Sequence, residues 1–132
     1  MKYLVDSDWV VDYLAGKSQA ISLLASVWED GIAISLITLG EIYEGIYYGR
    51  DPQRSEAVFR QFLRSVEILP LNRSIMQRFG RIRGDLRRRG QLIGDPDILI
   101  AATALYYDLI LLTRNQKHFQ RIPLLKAQFP TQ

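Results

Sequence analysis

The sequence predicts an α/β protein: one three-layer α/β/α domain in which a sheet of short parallel strands lies between two layers of helices. Apolar runs of four or five residues alternate with longer segments of helical periodicity. The connections between these runs often hold two helices, as crossovers between parallel strands allow. The chain has 132 residues, of which 48% are hydrophobic and 23% charged. These values predict a single globular domain over residues 1–132.

Each element is predicted from an apolar run or from a capping residue ahead of an amphipathic segment. Asp51–Pro52 and Asp95–Pro96 indicate helix starts, because aspartate caps a helix and proline fits its first turn. In chain order the predicted elements are the strand KYLVD, a helix WVVDYLA capped by Asp8 and ended by Gly16, a helix from Ser18 to Gly31, the strand IAIS, a helix from about Thr38 to Tyr48, a helix from Asp51 to about Arg64, the strand VEIL, a long helix capped by Asn72, a helix from Asp95, the strand LILLT, a short helix NQKHFQRI, and a tail that is irregular or ends in one more strand.

The composition excludes several kinds of active site. The chain has no cysteine and one histidine. It therefore has no thiol nucleophile or thiolate metal site, and too few imidazoles for an ordinary catalytic zinc. The net charge of +3 suits a nucleic-acid ligand without requiring one. We see no signal-peptide pattern and no apolar run of roughly 18 residues, so we expect a cytoplasmic protein that does not enter membranes.

Four polar side chains fall near the carboxyl ends of predicted strands. Asp6 ends the first strand, and Glu41 lies early in the helix that follows the second strand. Asp97 lies in the first turn of the apolar helix, and Asn115 follows the fourth strand. Ligands of open α/β sheets bind at this edge. We therefore expect three carboxylates and an amide to meet there.

Such a cluster fits a hard divalent cation. Carboxylates a few ångströms apart destabilise one another, and a bound cation reverses that interaction. Carboxylate and amide oxygens suit Mg²⁺ or Mn²⁺. A site of this kind activates water and stabilises the leaving oxygen of a phosphodiester without any cysteine or histidine.

Taken one at a time, these residues also have simple structural explanations. Asp6 and Asn115 are common helix caps, and Asp95 is more typical of a cap than of a ligand. Asp97 is a favourable charge at a helix N-terminus. Glu41 has Glu44 one turn later, and together they are compatible with a solvated helix face.

Four ordered motifs resemble those of the PIN-domain ribonucleases, in particular the VapC toxins of prokaryotic toxin–antitoxin pairs. They are YLVDSDWVVDYL, SLITLGEIYEGIYYG, DPDILIAATAL and LLTRNQKHFQRI. Each alone is weakly specific, whereas the ordered set spans nearly the whole chain. One departure lies at Asp8, where the family often has asparagine.

The resemblance implies roles for individual residues. Asp6, Glu41 and Asp97 match the family's acidic metal ligands, and Asn115 matches the fourth site position, where the family has Asp or Asn. Thr113 and Ser7 match the hydroxyls of the fourth and first motifs. The family implies Mg²⁺- or Mn²⁺-dependent cleavage of RNA, often tRNA or ribosomal RNA. It also implies a homodimer and a cognate VapB-like antitoxin.

Other functions and features stay open at this point. The chain could be a catalytically idle RNA- or partner-binding module on the same fold, or a phosphohydrolase acting on small esters. Seven arginines lie between Arg73 and Arg89; we favour a solvated helix over a phosphate-binding face, because they are spread around the helix. For His118 we favour a surface or structural role over catalysis. For Tyr43, Tyr47 and Tyr48 we favour core or dimer contacts over base stacking.

Overall fold

The architecture was established from a computed structural model that describes residues 1–130. The predicted end of the domain, residues 131–132, lies outside this range. Within it the elements are β1 (Tyr3–Val5), α1 (Ser7–Leu14), α2 (Ser18–Val27), a 3₁₀ turn (Trp28–Asp30), β2 (Ile32–Ser35), α3 (Leu36–Tyr47), α4 (Pro52–Leu63), β3 (Glu67–Leu69), α5 (Arg73–Arg88), α6 (Asp95–Tyr107), β4 (Ile110–Leu112), α7 (Gln116–Phe119) and β5 (Ala127–Gln128).

The five strands form one parallel sheet in the order β3-β2-β1-β4-β5. This confirms the predicted α/β class. The chain builds outward from β1 to β3 on one side and then returns to place β4 on the other side of β1. Such a reversal of strand order opens a crevice at the carboxyl ends of the central strands. Residues that follow β1 and β4 are thereby brought to the same place.

Alternate side chains of the strands enter two cores, one on each face of the sheet. In β1, Tyr3 and Val5 pack with Trp9, while Leu4 packs on the opposite face with Ile98. The period of two follows from the alternation of side chains along a strand. Both faces are covered by helices, which explains why the strands are apolar without interruption.

The predicted starts of α1 and α3 are wrong by two residues, whereas α6 begins at Asp95 as predicted and only its cap differs. Asp6, and not Asp8, caps α1 by accepting a hydrogen bond from the Ser7 backbone N–H. Gly94, and not Asp95, is the cap of α6, which makes Asp95 its first helical residue. Ser35 caps α3, so that helix begins at Leu36 rather than Thr38. In α1 and α3 the cap lies at the end of the preceding strand, so each helix begins earlier in the chain than propensity alone indicates.

Among residues 1–130 we found no helix that combines the length and the apolar character needed to cross a membrane.

Candidate active site

Asp6 is the buried carboxylate at the carboxyl end of β1, where it is 6% exposed. Its Oδ1 accepts from the Ser7 backbone N–H at 2.8 Å, and its Oδ2 accepts from the Thr113 hydroxyl at 2.7 Å. Because Thr113 follows β4, this second hydrogen bond joins two adjacent strand ends. Both hydroxyl-bearing motif positions, Ser7 and Thr113, therefore lie beside the first acid.

The electrostatics around Asp6 oppose its ionisation. Burial raises the pKa of Asp6 to about 7 from the ordinary 3.8, and the negative charges of Asp8 and Asp97 add to the rise. The hydrogen bonds from Thr113 and Ser7 work in the opposite direction without offsetting it. A buried carboxylate among other carboxylates is the arrangement that a bound cation relieves.

Glu41 lies on α3 and is exposed, but its carboxylate interacts electrostatically with the other acids of the site. Partial burial of its carboxyl group raises the pKa of Glu41, and repulsion from Asp97 adds to the rise. Hydrogen bonding from the Ser7 hydroxyl lowers it again in part. Asp97 thus acts electrostatically on both Asp6 and Glu41, which places the three predicted acids around one region.

Asp97 lies in the first turn of α6 and is held by two residues that follow β4. Its Oδ2 accepts from the Asn115 side-chain amide at 3.1 Å and lies 2.9 Å from Nδ1 of His118. The Asn115 backbone N–H in turn donates to the Thr113 hydroxyl at 3.1 Å. A continuous hydrogen-bonded path therefore runs from Asp6 through Thr113 and Asn115 to Asp97.

His118 contacts Asp97 and Arg114 lies in the segment between Thr113 and Asn115, and sequence reasoning did not assign a site role to either. His118 was expected to be a surface or structural residue, yet its ring lies against Asp97. The available signal was its spacing, because Asn115 and His118 are three residues apart and α7 places such residues on one face. Arg114 gave no signal of its own, since its contacts are with residues of α1.

Asp8 and Asp95 are used in other ways. Asp8 accepts from the Trp9 and Arg114 backbone N–H groups, which fixes the loop after β4 against α1. Burial raises the pKa of Asp8, and the contacts of Arg114 lower it in part. Asp95 is exposed and pairs with Arg83 of α5 at 2.8 Å. At least one arginine of the basic helix thus supports α6 rather than facing solvent alone.

Arg114 lies just before α7 and holds this segment against α1 through two contacts. Its guanidinium lies 3.8 Å from the Trp9 ring centroid, and its Nη1 is 2.7 Å from Oδ2 of Asp12. Lys17 pairs with the same Asp12 at 3.4 Å, but its side chain is 66% exposed, against 30% for Arg114. The stacked and less exposed arginine should contribute more to stability than the exposed lysine.

We expect Arg114→Met to lower the free energy of unfolding by about 1–2 kcal/mol, because it removes both the cation–π contact and the ion pair. Lys17→Met is the matched control, with an expected loss under about 0.5 kcal/mol. Urea unfolding of the two variants measures the difference. Equal losses would show that the two contacts of Arg114 together stabilise the protein no more than the single ion pair of Lys17 does.

The carboxylate oxygens of Asp6, Glu41 and Asp97 are of the ligand type that a hard cation prefers, but they do not form a complete coordination shell. Over residues 1–130, no three acidic or imidazole side chains stand together in the spacing of a metal-binding cluster. Mg²⁺ commonly binds through one or two carboxylates and keeps several waters. Oxygen donors and an unneutralised negative charge therefore fit such a loosely held ion better than they fit zinc.

The chain matches a known protein family over most of its length. The family model for the PIN domain matches residues 3–125. The chain belongs to the PIN-domain family. Ribonuclease VapC2 of Haemophilus influenzae is similar to this PIN domain, with 32% identity over 130 residues, which is 97% of each chain. The tRNA(fMet)-specific endonuclease VapC of Shigella flexneri is 26% identical over 128 residues, again 97% of each chain.

A solved structure extends the likeness to three dimensions. The VapBC2 complex of Rickettsia felis, bound to a DNA fragment from its promoter, contains a chain that this PIN domain matches with a TM-score of 0.90 and 28% identity. The match covers 97% of this chain and 98% of that one. The whole described domain therefore shares the fold of a toxin–antitoxin component.

Proposed function

We propose that this PIN domain is a divalent-metal-dependent endoribonuclease that acts as the toxin of a toxin–antitoxin pair in the cytoplasm. The observation that carries the proposal is the group formed by Asp6, Glu41 and Asp97 at the carboxyl edge of the sheet. Their mutual repulsion, together with the burial of Asp6, costs stability in the absence of a cation. The names of the similar VapC ribonucleases support the same activity.

Asp6, Glu41 and Asp97 would hold Mg²⁺ or Mn²⁺, which supplies, when bound, an activated water and positive charge for the phosphodiester. The protein's own contribution is to fix these carboxylates. Thr113 donates to Asp6 and thereby orients it at the end of β1. Asn115 donates to Asp97, so it is placed to orient a ligand rather than to replace one.

The substrate class follows from the likeness to a tRNA-specific endonuclease. We propose structured RNA, of the tRNA or ribosomal RNA class, as the substrate. The alternative of a catalytically idle module is not favoured by any observation, since all three acids are present and lie around one region. A homodimer stays a prediction. The three tyrosines that were expected in the core or at a dimer contact differ in their surroundings. Tyr43 stacks with Tyr47 at 5.7 Å between ring centroids and touches Phe59, whereas Tyr48 is 89% exposed.

We propose that an apolar groove on the helices α1, α3 and α4 binds a VapB-like antitoxin. The groove has a volume of about 330 Å³ and lies between α1, α3 and α4. Val11 and Val58 line it and are 51% and 43% exposed. The groove runs along the C-terminal half of α1, whose N-cap is Asp6, and along the part of α3 that follows Glu41. A segment bound here would contact the same two helices that position these carboxylates. The solved complex of a similar toxin with its antitoxin supports such a partner.

Expression of the chain alone should slow bacterial growth, and Asp6→Asn should remove the effect at matched protein levels. Co-expression of the antitoxin from the neighbouring open reading frame should restore growth. Val58→Glu should stay toxic and resist this rescue, because a charge would enter the apolar groove. Met76→Glu is the matched control, because Met76 is also 43% exposed but lies on α5.

Purified protein supplies the decisive measurement. Wild type should cleave total RNA with Mg²⁺ or Mn²⁺ and leave a generic phosphate monoester intact. Cleavage of the monoester alone would identify a phosphohydrolase. Cleavage of neither, by folded and metal-supplied protein, would favour the binding module.

A further inference from the structure

Asp97, Asn115 and His118 form a closed triangle of polar atoms. Oδ2 of Asp97 is 3.1 Å from the Asn115 amide nitrogen and 2.9 Å from Nδ1 of His118, while the two nitrogens are 2.8 Å apart. When the imidazole is neutral, these three contacts cannot all be hydrogen bonds at the same time. The position of the imidazole proton therefore decides which contact is lost.

The geometry favours a proton on Nδ1. If Nδ1 were bare, it would accept from Asn115, and its lone pair would face the Asp97 carboxylate at 2.9 Å. With the proton on Nδ1, both side chains donate to Oδ2, and only the contact between two N–H groups is unfavourable. Hydrogen bonds to an ionised acceptor are about twice as strong as neutral ones, so the second arrangement has the lower energy.

The two contacts are made by one oxygen of the carboxylate. Asn115 and His118 both lie against Oδ2, and no hydrogen bond of residues 1–130 reaches Oδ1 of Asp97. The Asp97 side chain is 22% exposed. Two contacts on one oxygen fix the rotation of the carboxylate, and the other oxygen keeps its capacity to bind a further partner.

We propose that His118 is a positioning residue which, with Asn115, holds Asp97 by Oδ2 and presents Oδ1 to the divalent cation. This inference rests on the proposed function, because it takes Asp97 as a metal ligand. Residues that orient a ligand typically change metal affinity or activity by about 10- to 100-fold when they are removed. His118 acts through Asp97 and needs no contact with RNA.

The proton position can be observed directly. His118 is the one histidine in the sequence, so untagged, metal-free protein gives a single set of imidazole signals in a ¹H–¹⁵N correlation spectrum. At about pH 8.5, well above the ordinary imidazole pKa, we expect Nδ1 to carry the proton and Nε2 to be bare. A proton on Nε2 would overturn the proposal.

Substitutions separate positioning from packing. In asparagine the amide nitrogen is as many bonds from Cα as Nδ1, whereas in glutamine it matches Nε2. His118→Asn should therefore bind Mn²⁺, measured without RNA, close to wild type. His118→Gln and His118→Ala should bind it about tenfold more weakly. Lys117→Ala, one residue earlier on the exposed side of α7, is the control and should match wild type.

The same variants report on kinetics. Loss of positioning should lower kcat at a fixed Mn²⁺ concentration, leave KM for RNA unchanged, and be partly recovered by adding Mn²⁺. Equal Mn²⁺ affinity in His118→Gln and wild type would contradict the inference. A different outcome separates the two proposals. If the Mn²⁺ affinities of wild type and the variants follow the expected order but wild type cleaves no RNA, the proposed nuclease function fails while the positioning role stands.

Discussion

Asp97→Asn should lower the rate of metal-dependent RNA cleavage by about a hundredfold or more, the equivalent of roughly 3 kcal/mol of transition-state stabilisation. The change is nearly isosteric, but it removes the charge of a proposed ligand. Asn115 and His118 would also lose the ionised acceptor that their nitrogens contact. Cleavage of total RNA at saturating Mg²⁺ or Mn²⁺ measures the effect.

Asp95→Asn is the control for this prediction. Asp95 lies two residues earlier in the first turn of α6, is exposed, and pairs with Arg83 at 2.8 Å. Both substitutions remove a favourable charge from the same helix N-terminus, at about 0.5 kcal/mol each. Circular dichroism should show that both variants are folded. In chelator Asp97→Asn should melt higher than Asp95→Asn, because it also removes repulsion with Asp6 and Glu41. If Asp97→Asn cleaves RNA as fast as Asp95→Asn does, Asp97 is not a ligand.

Asp6→Asn should stabilise the metal-free protein at alkaline pH. Because burial raises the pKa of Asp6 to about 7 from 3.8, the folded protein binds the proton more tightly than the unfolded chain does. The free energy of unfolding therefore falls as the pH rises between these values and stays low above them. The shift corresponds to about 4 kcal/mol, or a melting temperature higher by about 10 °C in the variant.

Thermal unfolding in chelator tests this at several pH values. The advantage of Asp6→Asn should be small near pH 4, should grow as the pH rises from 3.8 to about 7, and should be largest near pH 8. Adding Mg²⁺ should stabilise wild type and narrow the gap, because the cation binds only the folded site. A gap that is independent of pH would show that Asp6 is not a strained carboxylate.

Asp12→Asn provides a control of opposite sign. Burial favours a higher pKa for Asp12, but the contacts with Arg114 and Lys17 outweigh it and lower the pKa. Its ionised form therefore stabilises the folded state above the ordinary aspartate pKa, and that contribution is lost on acidification. Asp12→Asn should be less stable than wild type at pH near 8, and the difference should shrink in acid.

The sequence by itself determined the fold class and the approximate place of the acids. Short apolar runs between helical segments require parallel strands, and a parallel sheet brings strand ends such as those before Asp6 and Thr113 to one edge. Local signals were also sufficient for the caps Asp51 and Asn72, because capping depends on a hydrogen bond three residues along the chain. These features depend on neighbours in sequence or on a general rule of sheets.

Tertiary structure decided what each polar atom contacts. Asp6 and Asp8 are two residues apart, yet one meets the Thr113 hydroxyl and the other the Arg114 backbone, more than a hundred residues away. The order of the strands sets those pairings, since β4 lies directly beside β1. His118 shows the same dependence: its spacing from Asn115 indicates a shared face, but its contact with Asp97 depends on how α7 packs against the start of α6.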